Sequence, residues 1–153
     1  MSYLVDTNVL LRSVQNSHPM QSEAKSAINL LLRKSETVSI IPQNLIEFWA
    51  VATRPTTSNG LGLPVDETVQ QITSFKYLFM LLPDTDDIFP EWERLVAQHQ
   101  VIGKQVYDTR LVAAMNVHGL THLLTFNTAD FKRFTTITTV DPKSILSDEA
   151  QSS

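Results

Sequence analysis

The chain has no cysteine, which excludes thiol catalysis, thiolate metal sites and disulfides and leaves oxygen and imidazole as the only metal donors. It has no apolar run approaching the roughly 20 residues that cross a bilayer, and no basic start followed by a signal-like apolar segment. A soluble, cytoplasmic protein with no membrane partner is the expectation. Positive charge is short as well. With 12 Lys plus Arg against 16 Asp plus Glu, the formal charge of -4 argues against holding nucleic acid by broad electrostatic attraction, while a small basic patch stays compatible with it. Missing too are a G-x-x-x-x-G-K-[ST] loop, a G-x-G-x-x-G turn and a G-x-S-x-G elbow, so the usual nucleotide-binding and serine-hydrolase signals are absent.

What is present is 153 residues, enough for one domain whose core buries roughly two thirds of the unfolded surface. Residues 1–146 are expected to form that domain and the polar tail 147–153 to be disordered. Tyr3-Leu4-Val5 is a short strand, and after the polar corner Asp6-Thr7-Asn8 a helical pattern opens at Val9. Ala24, Ala27, Ile28, Leu31 and Leu32 predict an amphipathic helix, Thr37 to Ile41 a strand, and Pro42 the first turn of a helix reaching about Thr53. "RPTTSNGLGLP", Arg54 to Pro64, reads as the one long loop and a candidate cleft edge. Helices are expected over Val65 to about Lys76, Ile88 to about His99 and Asp108 to His118. A buried strand is expected at Leu78 to Leu82, further strands at His122 to Thr125 and Ile137 to Val140, and a short helical turn after Pro142. Strands alternating with helices imply an α/β/α sandwich around a mostly parallel sheet, with ligands at the carboxyl ends of the strands.

Three carboxylates interrupt this pattern. Asp6 ends the first strand. Glu47 is the only polar side chain in "LIEFWAVA", and burying an unpaired charge on such a helix is costly. In "VYDTRLVAAM", Asp108 falls in line with Leu111, Val112 and Met115 at i, i+3, i+4 and i+7, so it heads the buried stripe. Each has a bland alternative: Asp6, Thr7 or Asn8 as a helix cap, an arginine partner for Glu47, a cap or dipole role for Asp108. Convergence of all three at one sheet edge would raise their pKa values by mutual repulsion unless a cation were bound. With oxygen donors only, that cation is Mg2+ or Mn2+, and its chemistry is that of phosphate esters. The four histidines show no metal-ligand spacing. "LLTFNTADFKRF" brings Thr125, Asn127 and Asp130 to another strand end, and Lys132, Arg133 and Arg110 are available to phosphates; for Lys132 a solvated face is the preferred role.

Together "LVDTNVLLR", "IEFWAVATRP", "YDTRLVAAM" and "LLTFNTADFKRF" resemble, in order and over nearly the whole chain, the PIN domain family, and within it the VapC-type toxins of toxin-antitoxin pairs. The resemblance implies an α/β/α fold, a Mg2+- or Mn2+-dependent ribonuclease, usually a homodimer, and a cognate antitoxin laid over the active site. Carried over by position, Asp6, Glu47 and Asp108 are the acidic metal-binding residues. The fourth acidic position falls on Asn127, with Asp130 close enough to compensate. A carboxamide there lowers the negative charge and favours one-metal catalysis. Thr7, Asn8 and Thr125 are expected as helpers behind the metal or beside the phosphate, with Arg110 and Arg133 on the substrate side. The expected reaction is in-line hydrolysis of RNA leaving a 5′-phosphate and a 3′-hydroxyl. Two alternatives stand beside it: a phosphohydrolase with Asp6 as nucleophile, against which Asn8 counts, and a non-catalytic module that binds RNA or antitoxin.

Overall fold

The structure, a computed structural model, describes residues 1–152; Ser153 lies outside the described residues. Its centre is a sheet of five parallel strands: β1 (Ser2–Val5), β2 (Thr37–Ile40), β3 (Met80–Leu81), β4 (His122–Leu124) and β5 (Thr138–Val140), in the spatial order β3-β2-β1-β4-β5. The helices are α1 (Thr7–Val14), α2 (Gln21–Arg33), α3 (Pro42–Thr53), α4 (Val65–Leu78), α5 (Ile88–Gln98), α6 (Gln105–His118) and α7 (Pro142–Ser152). This is the α/β/α architecture that the alternation of elements implies.

The period of two along β1 separates two apolar layers. Tyr3 and Val5 face a cluster with Val9 and Leu10 of α1, Ala27 and Leu31 of α2, Phe48 of α3 and Phe75 of α4. Leu4 faces the other cluster, with Ile88 and Leu95 of α5 and Leu111, Val112 and Met115 of α6. Thr109, Ala113 and Ala114 of α6 are buried as well, so this helix is enclosed on more sides than a single stripe provides for. It ends at Gly119, whose φ of 71° is the left-handed C-cap conformation that glycine adopts without strain.

The strand order reverses beside β1: the chain first builds β2 and β3 on one side, then crosses to place β4 on the other. The crevice outside the carboxyl ends of β1 and β4 is therefore the topological switch point of the sheet. Val5 pairs in register with Leu124, which puts Asp6 beside Thr125, and the Asp6 N–H donates to the Leu124 carbonyl at 2.9 Å.

Three local expectations are corrected. The strand expected at Leu78 to Leu82 shrinks to Met80–Leu81 and is exposed rather than buried, at 57% and 40%. It sits at the sheet edge, and α4 extends to Leu78 because Phe75 and Phe79 anchor that end in the core. The helical turn after Pro142 is the eleven-residue α7, which continues through the polar segment expected to be disordered. Ile145 packs on the core and Glu149 pairs with Lys34 at 2.7 Å, and of the two the packing contributes more, since exposed ion pairs stabilise little. The Arg54 to Pro64 loop is folded back on the end of α3: Leu61, Gly62 and Leu63 donate to the carbonyls of Val51, Arg54 and Ala52. A Cβ on Gly60 would stand 2.0 Å from the Arg54 carbonyl oxygen, so only glycine fits that return.

Ser39, paired with Leu4 in the ladder, is fully buried, and its Oγ has no hydrogen-bond partner among the described residues. An unsatisfied buried hydroxyl withholds stability. Ser39→Ala is expected to raise the unfolding free energy by roughly 1 kcal/mol, read from urea denaturation; an unchanged or lower value would show that the hydroxyl is paired in solution.

Candidate active site

Asp6 does two jobs at once. It is the N-cap of α1, with Oδ1 accepting from the Thr7 N–H at 2.7 Å. Its Oδ2 accepts the Thr125 hydroxyl at 2.8 Å and the Asn8 amide at 3.3 Å. Asn8 closes the turn from the other side, donating to Thr125 Oγ1 and accepting the Phe126 N–H. The Asn127 N–H also donates to Thr125 Oγ1, at 3.0 Å. One buried threonine thus fixes Asp6, Asn8 and the backbone of Asn127. Thr7 and Asn8, expected as possible caps, leave the capping to Asp6 and hold neighbours instead.

Glu47 reaches the same place from α3 and accepts the Thr7 hydroxyl at 2.9 Å. Asp108 reaches it from α6. That helix starts at Gln105, with Lys104 at the cap position and no side-chain cap, so Asp108 lies in the first turn and is not the cap. No protein group among the described residues donates a hydrogen bond to the Asp108 or Asp130 carboxylate. Asp6, Thr7, Asn8, Glu47, Asp108, Asn127 and Asp130 line one cleft of about 230 Å3, walled on its apolar side by Leu11, Val51 and Phe131.

The electrostatics are those of buried acids crowded together, with the Arg110 cation countering only Glu47. Burial pushes Asp6 up to about 7, the nearby Asp108 and Glu47 carboxylates adding to it against the lowering pull of Thr125 and Thr7. Burial pushes Asp108 up to about 6, with Asp130 and Glu47 contributing. Glu47 is raised by burial too, countered by Thr7, Gln43 and the Arg110 cation. The donors are all oxygens, the kind that hard divalent cations take. Among the described residues no three acidic or imidazole side chains close into a cage. Mg2+ does not require one, because it keeps several waters and takes as few as one or two carboxylates directly.

The remaining predicted residues are placed as follows. Arg110 stands outside the cleft lining, its guanidinium donating to Gln43 Oε1 at 3.0 Å and pairing with Asp84 at 3.3 Å. Arg133 is turned elsewhere, donating to the His99 carbonyl and, at 2.7 Å, to Gln105 Oε1. No residue of the Arg54 to Pro64 loop lines the cleft. Gln43 and Asn44, buried at the start of α3, escaped notice in the sequence because amides after a helix-opening proline look like ordinary caps. Leu11, Val51 and Phe131 escaped because they fit the core pattern.

No curated protein is matched in sequence. Among solved structures the chain is similar to VapBC2 of Rickettsia felis bound to a promoter DNA fragment, at 18% identity and TM-score 0.69 over 92% of this chain and 98% of that one. DNA-bound VapBC of Salmonella typhimurium gives 18% and 0.69 over 93% and 98%. Mycobacterium tuberculosis VapC20, described as a toxin that cleaves the sarcin-ricin loop, gives 18% and 0.60 over 80% and 87%. At these identities the likeness is one of fold. The family model of the PIN domain matches residues 3–136, a span that holds every strand but β5 and every residue of the cleft, and the chain belongs to the PIN domain family.

Proposed function

We propose that the protein is a divalent-cation-dependent endoribonuclease, a single nuclease domain that acts in the cytoplasm as the toxin of a toxin-antitoxin pair. The observation that carries this is the convergence of Asp6, Glu47 and Asp108, from three separate elements, on one cleft at the switch point of the sheet. Asp6, Glu47 and Asp108 would hold Mg2+ or Mn2+, with Asn127 and Asp130 contributing from the exposed side. The cation supplies, when bound, an acidified water and neutralisation of charge at the phosphoryl oxygens. Asp6 forms the fixed floor, since its partners leave it no freedom to turn. Asn127 adds a neutral acceptor where a carboxylate would add charge, which favours a single ion. Arg110, tethered by Gln43 and Asp84 beside Glu47, offers its guanidinium to a phosphate of the bound strand.

An RNA substrate is supported by the described activity of the Mycobacterium tuberculosis neighbour, and a protein antitoxin by neighbours solved as toxin-antitoxin complexes. No helix of the described residues is long and apolar enough to cross a membrane. A homodimer is supported by apolar side chains left in solvent, Ile46 and Trp49 on α3 and Tyr77 and Met80 near the sheet edge. An aspartate nucleophile is less well supported, because Asn8 stands two residues after Asp6 where that chemistry calls for a second aspartate. A non-catalytic module gives no reason for three acids to be crowded together at a cost in stability.

Purified protein is expected to cut structured RNA with Mg2+ or Mn2+ and to stop in excess EDTA. Asp6→Asn should lower kcat/KM by roughly 100-fold or more, since even outer partners of a metal are worth about 10–100-fold. Cleavage that persists in EDTA would sink the proposal.

Asp108 also gives a stability test without RNA. Its folded pKa of about 6 lies above the ordinary 3.8, so the stability it contributes is fully present below pH 3.8 and is lost as the pH rises through about 6. Asp108→Asn is therefore expected to raise the Tm of the metal-free protein at pH 8 and to flatten its rise on acidification. Added Mn2+ should raise the Tm of the wild type more than that of the variant. A variant no more stable than wild type at pH 8 would show that Asp108 is not held in an unfavourable site.

A further inference from the structure

Two consecutive amides open α3, and each uses both its oxygen and its nitrogen in a direction that its partners dictate. Asn44 is fully buried. Its Oδ1 accepts the Ile41 N–H at 2.9 Å, closing the first turn of the helix, and its Nδ2 donates to Thr7 Oγ1 at 3.3 Å. The orientation of this amide is fixed, because a backbone N–H can only donate. Asn44 therefore fills the acceptor side of the Thr7 hydroxyl, and the single hydroxyl proton is left for Glu47, where it is found at 2.9 Å. Gln43 is fixed in the same way on the opposite side. Its Nε2 donates to the Tyr107 carbonyl at 2.8 Å and its Oε1 accepts from Arg110 at 3.0 Å.

The two amides thus bind α3 to two different elements. Asn44 ties it to α1 just after Asp6, and Gln43 ties it to α6 on both sides of Asp108. Glu47 lies one turn further along α3, at i+3 from Asn44 and i+4 from Gln43, on the face the two amides share. We infer that Gln43 and Asn44 are positioning residues, which set the spacing of Asp6, Glu47 and Asp108 and fix the orientation of the Glu47 carboxylate for a divalent cation. Neither amide lines the cleft; Asn44 acts through Thr7, and Gln43 acts through Arg110, the helices it joins and its own hydrogen-bonding pull on the Glu47 carboxyl. The inference rests on the cation-site reading above.

The test measures Mn2+ affinity of the full chain by electron paramagnetic resonance titration, with circular dichroism to confirm folding. Asn44→Asp keeps the acceptor for Ile41 and loses the donor to Thr7, so the Thr7 hydroxyl is contested between two carboxylates. Gln43→Met removes both bonds to α6. Each is expected to weaken Mn2+ binding by about 10–100-fold. The sign is informative for Asn44→Asp, since a role through charge alone would tighten cation binding. Thr7→Val should lose affinity to a similar degree, and Thr7→Ser, which keeps the hydroxyl, should restore most of it. Gln43→Met that binds Mn2+ like wild type, or Thr7→Val that binds like Thr7→Ser, overturns the inference even if Asn44→Asp fails to fold. A wild-type chain that binds no Mn2+ overturns the cation-site reading itself, and this inference with it.

Discussion

A carboxylate directly after the central strand of a parallel sheet has nowhere to go but into the crevice beyond the strand ends. Asp6 follows Val5, whose neighbours on both sides are strands, so its burial is imposed by topology. A buried carboxylate must be satisfied by donors, and its donors come from Thr7, Asn8 and Thr125. Satisfying it fixes the first turn of α1 and the end of β4. Through the Thr7 hydroxyl it also fixes Glu47 on α3. The arrangement of the acidic cleft follows from the need of one side chain.

The apolar layers and the polar edge work against each other. The two clusters that flank β1 stabilise the fold by burying Leu, Ile, Val and Phe side chains. The cleft withdraws part of that stability by holding acids beside one another where water is scarce. The withdrawal is uneven. Asp6 is compensated by three donors, and Glu47 by Thr7 and the nearby Arg110 cation. Asp108 receives no hydrogen bond from the described residues and is the least compensated of the three. A site in which two acids are pinned and a third is left uncompensated is preorganised for a positive charge rather than for its own stability.

The layer architecture was legible because the strands are short, β-branched or apolar, and separated by helices with a clear period. Asp6, Glu47 and Asp108 were legible as carboxylates standing where apolar residues belong, and the cleft unites them. Cooperative detail was not. Asp6, Thr7 and Asn8 each have a side chain able to cap α1, and the choice among them is made by Thr125, 119 residues away in sequence. Gln43 and Asn44 have local roles that hide their distant ones. Arg133 sits in a motif that suggests phosphate contact, yet Gln105 at the start of α6 offers it a closer acceptor. The polar segment after Ser147 has little apolar content of its own and is helical because α2 lies alongside it.

The charge of the whole molecule constrains how such a cleft can take RNA. A chain of formal charge -4 with an acidic floor repels a polyanion at long range. On the proposed reading, a cation held by Asp6, Glu47 and Asp108 would remove that repulsion at the place of the scissile phosphate. Cation and phosphate would then tighten each other by the same factor, because coupling free energies are reciprocal. Affinity for RNA would then be confined to that point, and discrimination among RNAs would fall to shape, for which the apolar wall of Leu11, Val51 and Phe131 is available. On that reading a neutral Asn127 is fitting, since another carboxylate would strengthen the hold on a cation while adding to the repulsion of a phosphate.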